Sequence, residues 1–143
     1  MSDEYKEKWP EMRMKHLELI QNAITRMGAN SSNLKSYCMA MVAAVIGLAA
    51  AVSKEQILIY TLPVVIAFAL LDGNYLCLER GFINQYNEIR RKNIDRQPDF
   101  IILPRNESLA RAYFSWSIIG FYGAIITVMG LVYFAMPEIV EAS

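Results

Sequence analysis

Three stretches of the chain, 36–52, 56–71 and 112–136, contain no charged residue, and nearly all of the charge lies before and between them. The last stretch is 25 residues long, the upper end of the 17–25 residues that cross a hydrocarbon core of about 30 Å as a helix. Tyr113 and Trp116 stand near its start, Tyr133 and Phe134 near its end. Tyr113 and Tyr133 would be separated by about 30 Å along a helix, the spacing of two aromatic belts at headgroup level. The two earlier stretches are shorter and are separated only by Ser53-Lys54-Glu55-Gln56, so they read as a close helical hairpin. The pattern predicts an all-α membrane protein with three transmembrane helices, at 36–53, 56–76 and 111–136, in a single domain spanning 1–143.

The charged parts carry their own periodicity. Pro10 and Glu11 suit the first turn of a helix. Leu17, Ile20, Ile24 and Met27 recur at three- and four-residue steps, giving an amphipathic helix over 10–28. Gly28 reads as its stop, with Asn30-Ser31-Ser32-Asn33 capping the first span. Tyr75, Leu78, Phe82, Tyr86 and Ile89 form a second stripe, which extends the second span as a helix over 77–96. Leu17, Ile20, Ile24, Met27, Phe82, Tyr86 and Ile89 can pack the two segments together or present an interface to a partner. Residues 97–108 read as a loop, in which the apolar run Phe100-Ile101-Ile102-Leu103 between prolines is too short for a helix. Asn106 or Ser108 would cap the third span.

Charge then orients the chain. Of the fourteen Lys and Arg residues, only Lys54 falls in the hairpin turn, and none follows the third span. The other thirteen share one side if the chain crosses three times, which the positive-inside rule places in the cytoplasm. The expectation is a bacterial inner-membrane protein with its N-terminus inside and its C-terminus outside. The acidic residues Asp3, Glu4, Glu7, Glu11 and Glu18 disfavour laying the first helix on anionic lipid. Fourteen basic residues balance fourteen acidic ones in 143 residues, so no global field points to nucleic acid. Cys38 and Cys77, at the cytoplasmic ends of their spans, should stay reduced.

The chemistry on offer is sparse. Ala43, Gly47 and Ala51 make a smooth strip on the first span, and Gly120, Gly123, Thr127 and Gly130 make another on the third. Such strips allow close backbone approach between helices in lipid, within one chain or between copies. Asp72 is the one ionisable residue inside an apolar segment, where an acid usually implies pairing, water or function. It can cap the helix at Asp72-Gly73-Asn74, pair with Lys35 or Arg80, or line an ion path together with Asn74, Ser115, Ser117 and Thr127. Pro63 would bend the second span. No phosphate loop, nucleophile elbow or paired-histidine helix is present in the sequence, and no cofactor or metal is expected. His16 reads as a solvated or interhelical histidine.

Three strings, Lys15-His16-Leu17-Glu18-Leu19-Ile20-Gln21 through Met27, Asp72-Gly73-Asn74-Tyr75-Leu76-Cys77-Leu78-Glu79-Arg80, and Phe114-Ser115-Trp116 with Gly120-Phe121-Tyr122-Gly123, look like those of a group of short bacterial membrane proteins. The layout over roughly 11–95 resembles SLATT-type membrane effectors of bacterial conflict systems. The resemblance implies a homo-oligomeric effector that alters membrane permeability, in contact with lipid and held quiet by its cytoplasmic helices or a protein regulator. The other reading is a non-enzymatic membrane anchor or accessory subunit for a cytoplasmic partner.

Overall fold

The apolar positions of the first third of the chain fold as one helix, not two. Helix α1 runs unbroken from Trp9–Val52, 44 residues, in a computed structural model that describes residues 7–92 and 99–141, with side chains as far as Pro137. Readings that fall on Asp3, Glu4, Lys6, Asp95, Arg96, Gln97 and Pro98 lie outside the described residues. The expected stop at Gly28 is not there: Gly28 is helical, with no positive φ. A glycine inside a helix costs only about 1 kcal/mol against alanine, less than a continuous packed seam returns. That seam consists of His16, Ile20, Ala23, Ser31, Cys38, Val42 and Ala49, all buried and all on one face. Ser31 therefore faces a neighbouring helix and is not a cap, while Ser36 Oγ bonds back to the Ser32 carbonyl at 3.1 Å.

Ser53 reverses the chain. Its φ of 51° and ψ of 45° put it in the left-handed region, and its N–H bonds back to Ala49 and Ala50 carbonyls. The Lys54 N–H reaches Ala49 O at 3.1 Å, which closes the α1 terminus in a Schellman-type turn. Helix α2 then runs back over Gln56–Arg91, 36 residues with Pro63 inside it. Asp72-Gly73-Asn74 does not break it. The helix stops at Arg91, short of the expected 96. There Arg13 of α1 donates from Nη2 to the carbonyl oxygens of Ile89 and, at 2.5 Å, Lys92, satisfying acceptors that a helix end leaves open.

At 1.5 Å per residue α1 is about 66 Å long and α2 about 54 Å, against a bilayer core of about 30 Å. Since the two are joined at one end, their surplus projects at the other, forming a charged two-helix arm. From the arm the chain returns as an extended strap, without a strand, over Asp99–Ser108. His16, 1% exposed, lies with Nε2 3.1 Å from the Ile101 carbonyl, which also accepts from Gln85 Nε2 at 2.5 Å. The Arg105 N–H bonds to Gly81 O at 3.1 Å. The strap presses on Gly81 so closely that a Cβ there would lie 2.6 Å from the Arg105 carbonyl oxygen. Arg105 also binds Glu88, through Nε at 2.6 Å.

The third span differs from expectation. Ser108 caps a short helix α3, Leu109–Tyr113, by accepting from the Arg111 N–H. The helix breaks at Phe114-Ser115, and α4 starts afresh at Trp116–Glu141. Ser115 caps it: the side-chain oxygen takes the Ser117 N–H at 3.2 Å and the carbonyl takes those of Ile118 and Ile119. An uncharged run cannot report such a break, because the capping serine is uncharged too. Tyr113 thus stands outside α4, with its ring over Gly73, where any Cβ would collide with it. Helix α4 packs on the hairpin through Ile118, Tyr122, Met129 and Met136, against Cys38, Val42, Ala49, Leu58 and Val65. Three helices, α1, α2 and Trp116–Pro137 of α4, are long and apolar enough to cross a membrane.

Two predictions follow from continuity and from the strap. Gly28→Ala should raise stability by about 0.5–1 kcal/mol, because the new Cβ would meet Glu79 only at an ordinary 3.5 Å; thermal unfolding in detergent checks this, and a loss would restore the stop. The hydrogen bond from Arg105, then that from Lys92, holds the Glu88 carboxyl below its ordinary value of 4.5. A carboxyl lowered in the folded state contributes stability above that ordinary value and loses it as pH falls through the lowered one. The protection factor of the Arg105 amide should therefore fall below pH 4.5, and Glu88→Gln should remove that pH dependence.

Candidate functional site

The only carboxylate within an apolar segment is also fully buried. Asp72 is 0% exposed and points from α2 into the seam. Ser31 and Lys35, one turn apart on α1, face it together. Ser31 Oγ donates to Asp72 Oδ1 at 2.5 Å, Lys35 Nζ stands 2.5 Å from Oδ2, and Lys35 also donates to Ser31 Oγ at 3.0 Å. Pairing with Lys35 is the realised alternative, neither a helix cap nor a bridge to Arg80. Arg80 instead donates to the Arg111 carbonyl at 3.1 Å.

Helix α4 closes the cluster. Tyr122 is 4% exposed and faces Asp72, with its hydroxyl making no hydrogen bond among the described residues. Oδ2 of Asp72 likewise has no hydrogen bond beyond its ionic contact. The Lys35 ammonium sits 6.0 Å from the centroid of the Phe121 ring, within cation–π range. The Lys35 side chain keeps 19% exposure, so its stem runs along apolar surface while the head reaches the acid. Tyr122 starts roughly 9 Å beyond Trp116 along α4, and its side chain leans back toward the helix start.

A charge pair removed from water gains little net stability, but each member depends on the other. Breaking it leaves an uncompensated buried charge, at a cost of about 3–5 kcal/mol. The arrangement is fitted for holding α1, α2 and α4 in register. As a free acid Asp72 is not available.

The five residues proposed for a polar path are not brought together. Asp72 is internal. Asn74 lies outside, its Nδ2 donating to Leu70 O at 3.0 Å and its Oδ1 accepting from Tyr113 Oη at 3.4 Å. Ser115 is spent as a cap. Ser117 and Thr127 are exposed on α4, Thr127 donating to Gly123 O at 2.8 Å. The small-residue strips do not pack the chain's own helices. Ala43, Gly47 and Ala51 are exposed, a Cβ at Gly47, Gly123 or Gly130 would meet nothing within 4 Å, and one at Gly120 would meet only Trp116 of its own helix. In the arm, Ile20 is fully buried, while Leu17, Ile24, Met27, Phe82, Tyr86 and Ile89 are half-buried between the helices or beneath the strap. Sequence reasoning missed Ser31 and Gln85, polar residues that break the hydrophobic stripe yet occupy its seam; His16, read as solvated or interhelical, is buried in that seam. Cys38 and Cys77 are free thiols. Among the described residues no cluster of His, Cys, Asp and Glu can hold a metal.

No family model, curated protein or solved structure matches the chain.

Lys35→Met should destabilise the protein by about 3–5 kcal/mol, whereas Lys35→Met combined with Asp72→Asn should recover most of that loss. A double-mutant cycle on detergent-solubilised protein measures the coupling. Additive losses would mean that the two charges act independently.

Proposed function

We propose that the protein is a small multi-pass effector of the bacterial inner membrane that self-associates and alters membrane permeability when assembled. The observation that carries this reading is the outward face of α4. Ser117, Gly120, Gly123 and Thr127 recur on it at three- and four-residue steps, with open space at Gly123, while Gly130 lines a groove shared with Leu58, Ile59 and Leu62 of α2. Ala43, Gly47 and Ala51 give α1 a second smooth face, also turned away from the chain's own helices. Helices in lipid associate where small residues admit close backbone approach, and hydroxyls on such a face supply the polar lining that an opening needs. The resemblance over 11–95 to SLATT-type effectors supports the same function. The distribution of basic residues supports an arm in the cytoplasm and a C-terminus outside.

The assembled lining differs from a ring of acids. Each Asp72 is neutralised by its own Lys35, so the hydroxyls of Ser117 and Thr127 would face the path without net charge. Weak discrimination between small cations and anions is the consequence, since selectivity for one sign needs a charged ring.

One feature favours the second reading, an anchor or accessory subunit that binds a cytoplasmic protein. Met14 on the charged arm and Leu103 on the strap are 71% and 66% exposed.

Purified protein in vesicles should release small ions of both signs. Gly123→Leu should reduce both the assembled mass and the release by filling the space for close approach, while leaving the monomer folded. Assembly with no ion release under any trigger, or wild-type release from the Gly123→Leu variant, would remove the permeability reading and leave the anchor.

A further inference from the structure

Three consecutive residues of the strap meet one buried side chain of α1. The Nε2 of His16 stands 3.1 Å from the Ile101 carbonyl oxygen. The Phe100 ring lies tilted over the imidazole, with centroids 5.4 Å apart, and Asp99 Oδ1 is 4.0 Å from Nδ1. Phe100 has a φ of 53°, a left-handed backbone that bulky residues rarely adopt. Strain of this kind persists only where the surrounding contacts hold it. Here the bend falls between the two residues whose oxygens meet the same ring.

Hydrogen-bonding chemistry decides which form of the ring fits. A carbonyl oxygen only accepts, so Nε2 must carry a hydrogen. Gln85 Nε2 donates to the same oxygen at 2.5 Å, which occupies its second lone pair. In a neutral imidazole protonated at Nε2, Nδ1 is an acceptor, and it faces a carboxylate that also only accepts. A proton at Nδ1 turns this opposition of two acceptors into an ion pair. The other charges around the ring are engaged elsewhere. On α1, Arg13 binds the end of α2 and Lys15 holds Glu18. On α2, Lys92 holds Glu88, which also binds Arg105 of the strap. Among the described residues, Asp99 is the one carboxylate within 4.0 Å of His16. The site suits an imidazolium.

We propose that His16 is a proton-operated clasp for the strap. A proton taken from solvent at Nδ1 ties Asp99, and with it the strap, to α1. Its loss leaves two acceptors face to face and loosens the strap. Closure and protonation favour each other, so closure is strongest on the acid side of the ordinary imidazole range, near about 6.5, and weakens as pH rises through it. The Glu88–Arg105 pair works in a separate window, giving way only below the ordinary carboxyl value of 4.5. Between the two windows the strap is held at both points.

The sequence contains one histidine, so the full chain prepared without a histidine tag gives a single imidazole signal by NMR. That signal is titrated beside the protection factor of the Arg105 amide, which bonds to the Gly81 carbonyl. Protection should be about fivefold greater at about pH 5 than at about pH 8, the most that an ion pair with one exposed partner contributes. Its midpoint should coincide with that of the ring. Asp99→Asn should remove the acid-side gain, because burial then opposes the charge with no carboxylate to offset it. His16→Gln, whose amide can still donate to the Ile101 carbonyl, should keep the strap in place without the pH response. Equal wild-type protection across the range, or protection that rises with pH, would overturn the clasp. So would a wild-type response retained by Asp99→Asn. Should His16→Gln fail to fold, the Asp99→Asn result decides alone, since that side chain is 57% exposed on the strap.

Discussion

A carboxylate inside an apolar seam can be tolerated at few alignments, and that constraint sets the register of the whole molecule. Sliding α1 by one residue against α2 would carry Ser31 and Lys35 off the face that meets Asp72. The apolar contacts on either side, Cys38, Val42 and Leu58, Val65, are generic enough to accept several registers; the charge is not. Fixing the hairpin there also fixes where Arg13 meets the end of α2, where His16 and Gln85 meet the strap, and where Tyr122 docks. The cost of burying the pair is substantial, and specificity of alignment is what it supplies in return.

The three apolar helices and the hairpin were legible in the sequence because lipid solvation imposes an unmistakable rule, the exclusion of charge over 16 to 25 residues. Continuity was not legible. Gly28 beside a cluster of Asn and Ser carries every local mark of a boundary, yet the seam across it outweighs the local preference. The Phe114-Ser115 break escaped notice for the opposite reason, since its capping residue sits inside a run read only for charge. Residues in the seam were half legible. Counting nearly equal lengths away from the turn at Ser53–Glu55 leads to Lys35 on one arm and Asp72 on the other, and Lys35 was one of two partners anticipated. Ser31 and Gln85 leave no such trace, because hydrogen bonds between distant elements make them buried and nothing local does.

The outward strips illustrate a limit of small residues as a signal. Glycine and alanine at four-residue spacing identify a smooth face but not what it is smooth for. In this chain the apolar faces that pack internally use Cys38, Val42, Val65, Ile118, Tyr122 and Met129, whereas Gly47 and Gly123 are exposed. The glycines that do admit a close internal approach are Gly73, under the Tyr113 ring, and Gly81, under the strap.

The unbroken passage of α1 and α2 from the apolar layer into the arm has a mechanical meaning. From Asp72 to Gln85, where the strap is fastened, is about 20 Å of uninterrupted helix, paired along its length with a second helix of the same kind. Such a strut resists bending, so a sideways push at its far end is delivered as torque at its base. The fulcrum is the Ser31–Lys35–Asp72 cluster. A tilt of only a few degrees at the tip would appear there as a displacement of tenths of an ångström, the scale on which ionic contacts of 2.5 Å are made or lost.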